Sequence, residues 1–204
     1  MLFRSDFAYI GVVATGIYVL VANPAVPVQS VEELVAYAKA RPGQVRYGSG
    51  GIATPLHLSA ELLKFRGGVD MVHVAYKGAA PLVIAMTAGE IQVGFSSIAG
   101  AIALVNAGRL RALAVSGAKR AKALASVPTV AESGFPGFDV TGRYGLIAPN
   151  GTPAAIVRLL NGELQAIAAM PDVQARFETV GLEASASTAD EFRDLMKREM
   201  EMRS

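Results

Sequence analysis

An α/β fold is the class this sequence predicts, and three observations predict it. Between Gln44 and Gly117, short apolar runs alternate with capped helical stretches. Several of those runs end in polar turns containing glycine or serine that lead straight into a helix. Apolar residues make up 52% of the 204 positions, enough to cover a sheet rather than leave a disordered chain. Short apolar strands joined by helical crossovers build a parallel sheet with helices on both faces.

The elements can be justified in order. Phe7 to Val28 carries no charge and is long enough to span a membrane, but glycine, asparagine and proline interrupt it. Its "IYVLVA" is rich in β-branched and aromatic residues, so a buried strand is expected. No basic start with a small-residue cleavage site precedes it, which makes it a poor signal peptide. Ser30 and Glu33 form a capping box for the helix "VEELVAYAKA", and Pro42-Gly43 ends it. "QVRYGS" is a strand. Thr54 caps the next helix, with Pro55 at its first position and Gly67-Gly68 at its end. "VDMVHVAY", "IQVGFS" and "LRALAVSG" read as strands. The helix "GAAPLVIAMTAG" opens near Pro81 and closes at Gly89, and "SIAGAIALVNAG" closes at Gly108.

After Gly117 the rhythm stops. A long connection contains a capped turn from Thr129 to Glu132, and "DVTGRYGLIAP" is a strand. Thr152-Pro153 opens a helix to about Ala169. A shorter helix spans Pro171 to Val180, "LEASAS" is a strand, and Thr188 with Glu191 boxes the last helix.

Composition removes whole classes of function. Lys+Arg 19 against Asp+Glu 17 gives a scattered +2 with no Trp, which argues against nucleic-acid binding. The absence of cysteine removes disulfides, thiol catalysis and thiolate metal sites. His57 and His73 lack zinc-ligand spacing. No metal site or membrane insertion is expected.

The chemistry concentrates at strand ends. In a parallel sheet the ligand crevice lies at the carboxyl ends of the strands. Three such ends here are polar: Ser49-Gly50-Gly51-Ile52-Ala53-Thr54, then Tyr76-Lys77, then Ser96-Ser97. Each leads into a helix N-terminus, whose free N–H groups and positive dipole end suit an anion. Lys77 adds a full charge, and His57 on the first turn of its helix can reach the first loop. Gly48 to Ala53 also fits the dinucleotide pattern G-x-G-x-x-A, but no acid stands at the end of the next strand. Ser49 resembles a nucleophile at a strand-to-helix turn, but Tyr47 stands where G-x-S-x-G needs glycine. Each residue also has a purely structural reading. Gly48, Gly50 and Gly51 shape a turn, Ser49, Thr54, Ser96 and Ser97 cap helices, His57 bonds to backbone, and Lys77 is a solvated turn lysine.

"VEELVAYAKARPGQVRYGSGG", "HLSAEL", "GVDMVHVAYKGAAP", "AGRLRALAVSGAKR", "VPTVAESGFPGF" and "GLIAPNGTP" occur in this order and spacing. Together they resemble the substrate-binding receptors of tripartite tricarboxylate transporters, the TctC-like or Bug family, over about residues 6 to 203. The resemblance implies a periplasmic-binding-protein-like α/β fold of type II, with a parallel-rich sheet flanked by helices and two lobes. It implies capture of a small mono-, di- or tricarboxylate in the periplasm, delivery to membrane permease subunits, no catalysis and no required cofactor. The loop matching Ser49 to Thr54 binds ligand carboxylate in that family. An α/β enzyme using Gly48 to Thr54 for a phosphorylated or nucleotide substrate is the alternative.

The departures from the pattern carry information. Ile52-Ala53 replaces a common Asn-Gly, and Ala75 replaces a usual proline. Ser96 stands where an aspartate often follows the phenylalanine, which favours a plainer acid over one with an amino or hydroxyl group. Arg143 replaces a tryptophan on the return strand, where it either clamps a second carboxylate or pairs with an acid at the hinge. The resemblance also implies about a hundred further residues of the first lobe, so residues 1–23 read as hinge and first-lobe remnant. Residues 24–140 read as a complete second lobe carrying the ligand loop, and 141–204 as a return strand with first-lobe pieces. Helix residues Ile156, Leu159, Leu160 and Leu164 are then expected to lie exposed.

Overall fold

A computed structural model describes residues 6–201. It resolves into two compact units, Ile17–Gly142 and a second made of the segments up to Gly16 and from Arg143.

The contiguous unit holds a five-stranded sheet. Strand β1, Phe7–Ala22, contributes its C-terminal end. The others are β2 (Arg46–Ser49), β3 (Val72–Ala75), β4 (Val93–Ser97) and β5 (Arg111–Val115), in the order β3-β2-β4-β1-β5. Helices α1 (Val31–Lys39), α2 (Pro55–Gly67), α3 (Ala79–Ala88) and α4 (Ile98–Asn106) connect them. The pairings β2–β3 and β2–β4 are parallel, as alternation of strand and helix predicts. β5 points the same way as β4, so the four alternating strands share one direction, and β1 is the exception in a parallel-rich sheet. β1 lies between β4 and β5 and runs antiparallel to both, with Leu20 opposite Phe95 and Ala114. Its last residues, Val19 to Ala22, are buried on both faces, which is why they read as an unbroken apolar run.

Local chemistry sets the helix ends. Ser30 Oγ accepts from Glu33 N at 3.2 Å, and the Glu33 carboxylate reaches back to Gln29 N at 2.6 Å. Gly68 and Gly89 close α2 and α3 in the left-handed conformation. The 129–132 turn is reciprocal: Thr129 N donates to Glu132 Oε2 at 2.7 Å, and Glu132 N to Thr129 Oγ1 at 3.0 Å. Beneath the helices, Leu20, Leu34, Leu63, Leu82, Met86, Phe95, Leu113 and Phe138 form the core. Each such side chain contributes about 1.5–3 kcal/mol on burial.

The other unit uses the first part of β1 with β6 (Thr141–Pro149, from Arg143 onward) and β7 (Leu182–Ala184). Helices α5 (Ala154–Ala168), α6 (Pro171–Thr179) and α7 (Ala189–Glu201) complete it. Thr188 and Glu191 form the expected capping box for α7. Thr152 does not cap α5: its hydroxyl donates to Pro149 O at 2.7 Å, and Pro153 takes the cap position. Tyr9 and Phe192 meet edge to face at 5.2 Å. Asn161 Nδ2 is shared by Ile10 O and Ser187 O, both at 2.8 Å. Ile156, Leu159 and Leu160 are exposed, whereas Leu164 is buried against Gly11, a correction to the expectation for that residue. No helix among the described residues is long and apolar enough to cross a membrane.

Candidate functional site

Because β3, β2 and β4 are neighbours in one parallel set, their carboxyl ends lie side by side at one edge of the sheet. All the residues singled out from the sequence except Arg143 fall at those ends or on the first turns of the following helices.

The β2–α2 loop is the most elaborated of them. Ser49 ends β2 fully buried. Its Oγ accepts from Gly51 N at 3.2 Å and donates to Gly51 O at 3.1 Å. Gly51 has φ +132°, and Ala53 has φ +61°, the one non-glycine residue with positive φ among those described. An alanine there carries roughly 1–2 kcal/mol of strain. Thr54 Oγ1 donates to Gly51 O at 2.7 Å and accepts from His57 N at 3.4 Å, so it caps α2 and ties the loop back on itself. Ile52 is 76% exposed. The peptide N–H groups of Ile52 and Ala53 make no hydrogen bond within the described protein. They stand just ahead of a helix N-terminus, in an irregular turn of the kind that cups anions.

The second loop is braced on the first. Tyr76 N donates to Ser49 O at 2.9 Å and Gly78 N to Gly50 O at 3.3 Å. A Cβ at Gly50 would lie 3.4 Å from the Gly78 backbone, an ordinary van der Waals distance, so the two turns lie in contact. Lys77 is exposed beside it and Tyr76 is half-buried. Burial, with the Glu90 charge, pushes the Tyr76 phenol up. At the third end, Ser97 caps α4 by accepting from Gly100 N at 3.2 Å. Ser96 Oγ is buried with no hydrogen-bond partner in the protein. Arg143 belongs to the other unit, where it is exposed on β6.

Beneath the loop lies a polar layer that only part of the sequence reading found. Tyr47 and Ser49 face the same side of β2, and register places His73 of β3 opposite Tyr47. His73 Nε2 sits 2.7 Å from Ser49 Oγ, and its ring stacks on Tyr47 at 4.9 Å. Across from them α2 presents His57, Glu61 and Lys64 at helical spacing, one face of the helix. The His57 ring lies 4.4 Å from His73, and its Nδ1 is buried without a partner. His57 is therefore not held by backbone as expected: its peptide N–H donates to the Thr54 hydroxyl, and its Nδ1 has no partner. Glu61 accepts from the Tyr47 hydroxyl and from Lys64 Nζ, the latter at 2.8 Å. Burial and the Glu61 carboxylate push the Tyr47 phenol far up. Burial alone would raise Glu61, but bonds from Lys64 and Tyr47, with nearby positive charge, bring it below its usual range. Burial, then repulsion from His57, lowers His73.

The pairing bears on the hydrolase reading. Ser49 meets His73 rather than His57, its hydroxyl is buried, and Glu61 is committed to Tyr47 and Lys64. That is the geometry of a loop anchor, not of an exposed nucleophile. Among the described residues no cluster of three or more His, Asp or Glu side chains is placed to hold a metal ion. A concave patch in the other unit, lined by residues including Tyr9, Arg158, Arg193 and Lys197, contains none of the residues singled out from the sequence.

Comparison with known proteins supplies the context. The family model for the tripartite tricarboxylate transporter family receptor matches residues 2–203. A UPF0065 protein encoded in the tcbD-tcbE intergenic region of Pseudomonas sp. (strain P51) is 34% identical over 197 residues, covering 96% of this chain and 59% of that protein. The structure of Rpa4515 of R. palustris with adipate superposes with a TM-score of 0.90 at 31% identity, covering 97% of this chain and 66% of that one. The periplasmic binding protein BugD gives 0.87 at 28% identity, covering 96% and 66%. The chain thus spans about three fifths to two thirds of the length of the proteins it matches.

Proposed function

The chain belongs to the tripartite tricarboxylate transporter family of receptors, and from that premise we propose that it captures a small organic acid at the β2–α2 loop. The acid is then passed to the membrane permease of such a transporter, and the working compartment is the periplasm. The observation that carries this reading is the pair of unbonded N–H groups at Ile52 and Ala53, held ahead of α2 by a strained Ala53. Strain kept at a loop that could have used glycine is what a fixed binding geometry requires.

One carboxylate oxygen takes the Ile52 and Ala53 N–H groups, and the positive end of α2 favours its charge. The hydroxyl of Thr54 acts at one remove, because its single hydrogen already lies on Gly51 O. Ser96 offers a buried hydroxyl with no protein partner, which costs about 1–3 kcal/mol unless a guest or water satisfies it. A hydroxyl in place of a carboxylate at that position suits an acid without an amino group. The adipate bound by the R. palustris relative supports an aliphatic dicarboxylate as the first ligand class to try.

Titration calorimetry with adipate, shorter dicarboxylates and matched monocarboxylates tests the proposal. Saturable binding of a carboxylate, lost on Ala53→Pro, is the expected result. Turnover of a phosphate ester with no carboxylate binding would replace the receptor reading by the enzyme alternative.

A further inference from the structure

The polar layer under the loop has a job that the acid site itself does not account for. Ser49 Oγ has three polar neighbours: His73 Nε2 at 2.7 Å, Gly51 N at 3.2 Å and Gly51 O at 3.1 Å. A hydroxyl has one hydrogen and two lone pairs. Gly51 N–H must donate to Oγ. Gly51 O can only accept, so the hydroxyl hydrogen points there. The third neighbour must then donate, and that neighbour is the His73 ring. With a bare Nε2 the hydroxyl hydrogen would turn to the ring, leaving Oγ and Gly51 O face to face, lone pair against lone pair.

We propose that His73 is a positioning residue for the loop: its Nε2–H holds the Ser49 hydroxyl, and Ser49 fixes the Gly51 peptide that aims the Ile52 and Ala53 N–H groups. Its importance to ligand capture rests on the receptor reading, but the anchor does not. The rest of the layer serves the same end. Tyr47 stacks on the imidazole and sets its plane. Glu61 of α2, with Lys64, holds the Tyr47 hydroxyl. The charged and titratable groups facing His73 are His57, Glu61 and Lys64 from α2 and the Tyr47 phenol from β2. A second proton on His73 goes to Nδ1, so acidification changes the charge under the loop without breaking the Ser49 bond.

The test uses the 204-residue chain labelled with nitrogen-15. Long-range imidazole correlations at pH 7.5 should show His73 protonated at Nε2; a bare Nε2 would overturn the proposal, and this measurement needs no variant. In His73→Phe, which keeps the stack on Tyr47, amide exchange at Gly51 should rise roughly tenfold, the loss of one net hydrogen bond. Exchange at Phe95 and Leu113 in the core strands should not change. His73→Gln, whose amide can donate to Ser49, should restore protection. Ser49→Ala should loosen Gly51 as His73→Phe does, and the double variant should add nothing further, since both act through one hydroxyl. Unchanged protection in His73→Phe, or additive loosening in the double variant, would refute the route. Protection at Gly51 without acid binding would count against the receptor reading and leave the anchor standing.

Discussion

Replacing Thr54 by valine removes one hydroxyl and nothing else of size, and two bonds go with it. The cap to His57 N is long at 3.4 Å, so its loss lies at the low end for an N-cap, about 0.5 kcal/mol. The tie to Gly51 O is short at 2.7 Å and contributes about 1 kcal/mol net. Together the variant should lose about 1.5 kcal/mol, which in a chain of this length lowers the melting temperature by roughly 3–6 °C. Thr54→Ser keeps the hydroxyl and should melt within about 1–2 °C of the parent. Thermal denaturation followed by circular dichroism reads both. The loop also loses its closure in Thr54→Val, so acid affinity should drop about tenfold, although the hydroxyl donates nothing to the ligand. A valine variant that melts and binds like the parent would refute the assignment of Thr54 as the clasp of the loop.

Stability should depend on pH through His73, whose native value lies below 6.5. Above 6.5 the ring is neutral folded or unfolded; as pH falls below 6.5 the unfolded chain takes the proton first, so the melting temperature should drop until the native ring also titrates. His73→Phe should lose that step, while the step from Glu61, present above 4.5 and lost as pH falls through its lowered native value, remains. Leu159 and Leu160 are 60% and 41% exposed on α5, so the chain should self-associate in sedimentation and Leu159→Glu with Leu160→Glu should return it to monomer. Gly48→Ala should cost about 1–3 kcal/mol in urea denaturation, because a side chain there would come within 2.3 Å of Leu82 and Ile91.

Features decided within a few residues were legible in the sequence. The Ser30–Glu33, Thr129–Glu132 and Thr188–Glu191 boxes, the Thr54 cap and the glycine closures at Gly68 and Gly89 all stand where local pattern put them. Alternation gave the three parallel strands whose ends carry the loops. It could not give the place of β1, because inserting that strand between β4 and β5 depends on pairings as distant in sequence as Ala22↔Val93 and Val19↔Val115. His73 escaped for the same reason: a single histidine in a strand says nothing until β2 is laid beside it. The available signal was joint: Tyr47 and Ser49 alternate on one strand face while His57, Glu61 and Lys64 recur on one helix face.

The division of the chain into a contiguous unit and a unit built from both ends bears on the order in which the protein is made. As the chain leaves the ribosome, Ile17–Gly142 emerges whole and has its own core, so it can collapse while synthesis continues. The first residues of β1 must wait. Their partner Leu182–Ala184 follows by more than 160 residues, at Ala14↔Ala184 and Gly16↔Leu182, and α7 comes later still. Until β6 is made, the stretch of β1 from Phe7 to Gly16 has no strand beside it among the described residues, and the place that β7 takes at Ala14–Gly16 stays open longer still. A translational pause or a chaperone acting between Gly142 and Ala189 would therefore govern the yield of the second unit while leaving the first untouched.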